Sequence, residues 1–288
     1  MEYFEPNFLD EALVVLDRFG DRAKVLAGGT LLGPHLRNRP NVADALVNVK
    51  RIPALSEIAV DAGTNTLHLG ALVTARTLAA HGLVDTHAPL VARAAASLGA
   101  AQLRSVATIG GNLLSAHHSA DLSTALLACD ARVTVSTLKD GVFELPVERM
   151  LAPGFSGLGR GALLTSVLVP LSESHVAFEK IQTRRAFEMA LVSVAARVRV
   201  RDGTVIEASI ALGGAAPTPI LATAAQAALV QTKLQDDTIL NAARVAADVD
   251  AEPVDDDRAS ADYRRHLVRV FVRRALRSIA DGRATGGP

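Results

Sequence analysis

The chain has one cysteine, no tryptophan and only 3% aromatic residues over 288 positions. A single thiol, Cys129, excludes an intramolecular disulfide and a four-thiolate iron–sulfur cluster held by this chain alone. It lies in the apolar run Leu126-Leu127-Ala128-Cys129 and reads as a small buried residue. Excess charge of either sign is also missing, because 30 Lys and Arg balance 30 Asp and Glu. No basic face is demanded, and nucleic acid is not expected as a partner. Long hydrophobic runs are absent. Stretches such as Met189 to Ala196 fall far short of the roughly 20 residues that span a bilayer. The opening Met1-Glu2-Tyr3-Phe4-Glu5-Pro6 is acidic and lacks an apolar signal core, so a cytoplasmic location is the expectation. None of the eight histidines has zinc-like spacing partners, so no metal is expected. No nucleophile–base pair or carboxylate dyad stands out, so no catalytic residue is assigned. That pattern suits a protein whose hard chemistry belongs to a cofactor.

What is present is two double-glycine loops, Leu26-Ala27-Gly28-Gly29-Thr30 and Thr108-Ile109-Gly110-Gly111-Asn112. Each follows a short apolar run and is expected to lie between a strand end and a helix. Glycine lets a ligand approach the backbone closely and adopts φ > 0 at little cost. Successive N–H groups in such a loop form a concavity that holds anions. Two of them could grip both halves of a pyrophosphate, the part of a dinucleotide richest in anionic oxygens. A glycine pair by itself is more often a tight turn.

Periodicity gives the surrounding elements. Residues 8–19 carry a helical apolar stripe that Gly20 can stop, and residues 23–26 and 45–49 read as strands around a brief helix at 31–37. A strand is expected at 67–70, helices at 74–81, 89–98 and 122–127, and a hairpin at 131–137 and 142–145. Glycines cluster from 154 to 161, and a strand at 163–169 is closed by Pro170. The last third changes character. Strands at 177–181, 192–200 and 205–212, with a turn at Arg201-Asp202-Gly203, precede helices at 222–234, 238–248 and 263–279.

The motifs, taken in order, resemble the FAD-binding middle subunit of the molybdenum hydroxylases, over roughly Tyr3 to Ala275. Beyond the two loops they are Tyr3-Phe4-Glu5-Pro6, Leu69-Gly70-Ala71 with Thr74, Gln102-Leu103-Arg104 and Ala120-Asp121-Leu122. Phe178-Glu179-Lys180 with Arg184-Arg185, Leu212-Gly213-Gly214-Ala215-Ala216-Pro217 and Tyr263-Arg264 complete the series. The resemblance implies an α+β chain. A PCMH-type FAD-binding domain of two α/β lobes would occupy 1–172, with lobes at about 1–55 and 56–172. A C-terminal domain with a three-stranded antiparallel sheet and helices would cover 173–282, and 283–288 would form a flexible tail.

The resemblance also implies residue roles. Gly28, Gly29, Thr30, Gly110, Gly111 and Asn112 would wrap the FAD pyrophosphate through backbone N–H groups, hydroxyl and amide, with Thr108 adding a hydroxyl. Leu26, Ala27, Leu31, Leu32, Ile109 and Leu164 belong to the same expected binding set. Asp121 would stand against the flavin half, and could equally cap the helix that follows it. Lys180 would reach the flavin and favour its anionic reduced form, the alternative being an exposed strand lysine. Met189 would lie near the ring face or else in the core, and His117-His118 would lie close to the flavin. Two departures stand out. Leu31 replaces a residue that is polar in many relatives, and 154–161 lacks the usual acidic residue. By the same resemblance, a small partner carries two [2Fe-2S] clusters and a large partner carries the molybdenum cofactor. The three would form a dimer of heterotrimers that passes electrons to NAD⁺, a quinone or O₂. A stand-alone FAD oxidoreductase, or a scaffold that has lost FAD, are the alternatives.

Overall fold

A computed structural model describes residues 1–115, 117–155, 157–182 and 189–282, with Pro40 described in its backbone only. The Arg184-Arg185 pair and the tail at 283–288 lie outside the described residues.

Three sheets follow one another along the chain. The first is parallel, in the order β1-β3-β2, from β1 (Glu2–Phe4), β2 (Ala23–Leu26) and β3 (Ala45–Asn48). Helices α1 (Leu9–Phe19) and α2 (Leu32–Asn38) make its crossovers. Helix α1 starts where the Glu11 carboxylate accepts the N–H groups of Asn7 and Phe8. It ends at Gly20, whose φ of +54° suits glycine. Its stripe of Ala12, Leu13 and Leu16 is buried against Val47 and Val49.

The second sheet is antiparallel, in the order β4-β5-β8-β6-β7. Its strands are β4 (Ile58–Asp61), β5 (Thr66–Gly70), β6 (Arg132–Thr137), β7 (Gly141–Pro146) and β8 (Leu163–Pro170). Between β5 and β6 the chain winds through α3 (Ala75–Ala80), α4 (Gly82–His87), α5 (Pro89–Ser97), α6 (Ala101–Arg104), α7 (Ile109–Leu114) and α8 (Asp121–Ala128). A short α9 (Val147–Leu151) follows β7.

The third sheet is antiparallel, in the order β12-β11-β10-β9, from β9 (His175–Ile181), β10 (Val192–Arg201), β11 (Thr204–Gly213) and β12 (Ile220–Leu221). Helices α10 (Thr223–Leu229), α11 (Asp236–Val245) and α12 (Ala261–Ala280) are the last elements among the described residues. The first half of strand β10, residues 192–196, is buried on both faces, and only Ser193 interrupts its apolar run. Ala195 and its β11 partner Ala211 join the core of the second unit, which also contains residues of α8. Val194, Ala196 and Val198 point the other way, into a core shared with Leu267, Val268 and Phe271 of α12. Helix α8, packed on β10 and β11, is buried along its whole length.

Several local features depart from expectation. The two-residue β12 extends the three-stranded sheet to four. Strand β4 and helices α4, α6 and α9 have too few residues to show a period, and the sequence pattern misses them. The second glycine pair does not follow a strand. It lies inside the first turn of α7, preceded by α6 and a single bridge between Thr74 and Thr108.

Candidate functional site

A cavity of about 760 Å³ is lined by residues from all three units. That volume lies within the range of about 300–1,000 Å³ usual for small-ligand sites. The segment after β2 contributes Ala27, Gly28, Gly29, Thr30, Leu31 and Leu32. Thr108, Gly110, Gly111 and Asn112 come from the start of α7, Asp121 from α8, Leu164 from β8, and Met189 from the segment before β10. Of the expected set, Leu26, Ile109 and Lys180 do not line it.

Close backbone packing brings the two glycine loops together. A Cβ on Gly28 would lie 2.0 Å from the carbonyl oxygen of Val106, in the segment that leads to α7. Only glycine lets the two stretches meet. Gly29 has φ +71°. The N–H groups of Gly28, Gly29 and Thr30 donate to no acceptor among the described residues. They are therefore available to a ligand that offers anionic oxygens.

The second loop works differently from expectation. Its N–H groups are already engaged. Ile109 donates to Val73 O (2.9 Å), Gly110 to Ala71 O (3.0 Å), and Asn112 to Thr108 O (2.9 Å). Gly111 donates to Thr108 Oγ1 (3.2 Å), the N-cap of α7. Glycine is needed here for packing: a Cβ would meet Ala71 at 3.0 Å from Gly110 and the Thr108 hydroxyl at 2.9 Å from Gly111. What this loop offers the cavity is the Thr108 hydroxyl and the Asn112 amide. Asn112 Oδ1 is buried with no partner among the described residues.

Asp121 does not cap α8. Ala120 occupies the N-cap, and Asp121 is the first helical residue. Its Oδ2 accepts from Lys180 Nζ at 2.5 Å, and Lys180 Nζ also donates to Ser97 O at 3.1 Å. Both side chains are buried, with 6% of Lys180 and 5% of Asp121 exposed. The exposed-lysine alternative is thus excluded. Lys180 meets Asp121 from behind the cavity, and Asp121 Oδ1 has no partner among the described residues. Burial pushes the Asp121 carboxyl up to about 6, against the pull of the Lys180 ammonium.

Met189 lines the cavity and is half exposed, so the core reading does not hold for it. His117 also lines the cavity, stacked on His118 with ring centroids 4.4 Å apart. Its Nδ1 accepts the N–H of Ser119 (3.1 Å), which leaves Nε2 to carry the proton of the neutral ring. Burial lowers the pKa of both histidines and favours that neutral form. Leu31 is exposed at the rim. Pattern reasoning misses the apolar wall of Val25, Val49, Leu55, Leu72, Leu98, Leu103 and Leu158, and the buried Ser119. These residues share no motif; only the fold collects them.

The residues fit a dinucleotide such as FAD. Free backbone donors suit a pyrophosphate, the orphaned oxygens of Asn112 and Asp121 suit hydroxyl and ring N–H donors, and apolar walls suit a flat ring. Among the described residues no group of three His, Cys, Asp or Glu side chains could hold a metal ion. No described helix is long and apolar enough to cross a membrane.

Residues 1–172 match the family model described as the FAD-binding domain in molybdopterin dehydrogenase. Residues 177–279 match the model of the CO dehydrogenase flavoprotein C-terminal domain. The chain is 32% identical, over 279 residues, to the 6-hydroxypseudooxynicotine dehydrogenase complex subunit alpha of Paenarthrobacter nicotinovorans; the match covers 96% of this chain and 93% of that one. It is 28% identical to the carbon monoxide dehydrogenase medium chain of Hydrogenophaga pseudoflava, covering 96% and 95%. A solved structure of carbon monoxide dehydrogenase from that organism, lacking the Mo-pyranopterin moiety of its molybdenum cofactor, has the same fold. Its TM-score is 0.91 at 28% identity, over 98% of this chain and 97% of that one.

Proposed function

The chain belongs to the family of FAD-binding subunits of molybdopterin dehydrogenases, and from that premise we propose that it relays electrons from a [2Fe-2S] partner subunit to an external acceptor, with FAD held in the cavity described above. FAD, when bound, supplies reversible one- and two-electron chemistry that no side chain here offers. The observation that carries the reading is the set of free N–H groups at Gly28, Gly29 and Thr30. They line the same cavity as the unpartnered oxygens of Asn112 and Asp121.

Each residue then has a role. The first glycine loop binds the pyrophosphate by its N–H groups, with the Thr30 and Thr108 hydroxyls beside it. Asn112 and Asp121 accept from the cofactor's hydroxyl and ring donors. Lys180 holds Asp121 in place and supplies positive charge behind it. Leu26 and Ile109 support the two loops from behind, while Leu31, Leu32, Leu164 and Met189 exclude water from the walls. A scaffold that had lost FAD would have no use for buried polar atoms left without partners, since each costs about 1–3 kcal/mol.

The relatives' names, "complex subunit" and "medium chain", support partners on either side of this chain. We place it with a small [2Fe-2S] subunit and a large molybdenum-cofactor subunit, as a dimer of heterotrimers in the cytoplasm. The test is cofactor analysis of the purified complex. One FAD per copy of this chain is expected. A complex whose absorbance and extracts contain no flavin refutes the reading.

A further inference from the structure

Met189 and His117 share the cavity wall but come from separate parts of the chain. The Met189 segment and Gly214, which bonds the His117 segment, meet at one buried guanidinium. Arg264, on the first turn of α12, is only 2% exposed. Its Nη1 donates to the carbonyls of Leu191 (2.6 Å) and Gly214 (3.3 Å), and its Nη2 donates to Asp256 Oδ2 (2.6 Å). Gly214 in turn donates its N–H to the carbonyl of His118 (2.7 Å). Arg264 therefore reaches the Met189 segment directly and the His117 segment through one residue, Gly214. Gly214 has φ +71°, and a Cβ on it would stand 2.1 Å from Leu191 O. The close meeting of these segments requires glycine there.

A second arginine reinforces the first. Arg258 Nη2 donates to Met189 O (2.6 Å) and its Nη1 to Ala190 O (3.3 Å). Asp256 ties the two arginine residues together: Oδ2 takes the Arg264 guanidinium, and Oδ1 accepts the main-chain N–H groups of Arg258 and Ala259 (2.9 Å each). The Arg264 hydrogen bond leads the causes that hold the Asp256 carboxyl far below the usual carboxylate range. Bonds to charged groups are the stronger ones, and here they satisfy carbonyls that the sheet ladder leaves unpaired.

We propose that Arg264, Arg258 and Asp256 form a clamp that positions Met189 and His117 as one wall of the cavity and so sets how long the cofactor stays. The three are positioning residues; none of them lines the cavity. The consequence for FAD rests on the proposed function, whereas the joint motion of the two segments does not. Because both segments depend on Arg264, they must loosen together.

The test is amide hydrogen exchange on the full chain in its complex, with Asp256→Asn and Arg264→Lys as variants. Asn keeps the shape without the charge, and Lys keeps the charge without the fork. Exchange is expected to rise about tenfold in peptides covering 117–119 and 189–191 together, with the α3–α5 peptides unchanged. FAD release, followed by flavin fluorescence, is expected to speed up by a similar factor. Arg258→Ala, which spares the buried guanidinium, covers the case in which an Arg264 variant fails to fold. It is expected to loosen 189–191 and quicken FAD release. Faster exchange in only one segment of the Asp256→Asn protein overturns the clamp, as does unchanged FAD release from a chain whose exchange has risen. Parent complex without FAD refutes the proposed function instead, and the exchange result still decides whether the clamp exists.

Discussion

Replacing Lys180 by Met tests the buried pair that links the third sheet to α8. In the parent, burial holds the Asp121 carboxyl up to about 6 with Lys180 beside it. An unfolded aspartate titrates near 3.9. The folded state thus binds a proton more readily than the unfolded state. Stability contributed by this group is highest below about 4 and is lost as pH rises to about 6, by about 3 kcal/mol in all. From about pH 7 upward the parent's Asp121 is ionised in both states and its contribution is flat. Removing the ammonium takes away the main force opposing burial, so the carboxyl stays protonated to higher pH, as lone buried carboxyls do up to about 8–9. The variant must therefore keep losing stability where the parent has levelled off. Relative to the parent, the expected loss is about 1 kcal/mol between pH 6 and 7, and about as much again between pH 7 and 8. The lost bond to Ser97 O adds an offset of its own. Denaturant unfolding of the flavin-free chain at pH 5, 6, 7 and 8 measures the difference. A parent-minus-variant curve that is flat from pH 6 to 8 refutes the argument.

Other changes separate packing from binding. Asn112→Leu removes a buried acceptor with no partner among the described residues, so the flavin-free chain is expected to unfold at an unchanged or higher temperature while FAD content falls. A lower melting temperature would mean that Asn112 has a structural partner. Gly28→Ala puts a methyl 2.0 Å from Val106 O and must push the two glycine loops apart. It is expected to cost about 1–3 kcal/mol and most of the bound FAD; calorimetry and flavin extraction check both. Cys129 is buried and its thiol is pushed up to about 12, so it should ignore a maleimide or disulfide reagent at pH 8 until the chain unfolds. Stoichiometric labelling of the native protein would contradict that burial.

Much of the architecture was legible because it rests on local rules. Helix α1 follows from an apolar stripe closed by Gly20, and the β6–β7 and β10–β11 hairpins follow from alternating apolar runs around glycine turns. The lone cysteine and the two glycine pairs were visible in the same way, and so was the series of motifs from which the family could be read. The glycine pairs show where that legibility stops. Both are written alike, yet the first leaves its N–H groups free while the second spends its own on Val73, Ala71 and Thr108. Which carbonyls stand opposite an N–H is settled by neighbours remote in sequence, so similar sequences end in different chemistry.

The order of most elements, the lack of thiols for a cluster and the identity of the residues available to grip a dinucleotide could all be read from the amino-acid order. It took the packed molecule to show that Lys180 pairs with Asp121 instead of facing the cavity, that Met189 stands in the cavity wall, and that Arg264 bonds the carbonyls of both Leu191 and Gly214. The reason is physical. Short-range propensity and periodicity act over a few residues, whereas the fate of a buried charge or an unpaired carbonyl depends on which distant groups the packed sheets bring within hydrogen-bonding distance.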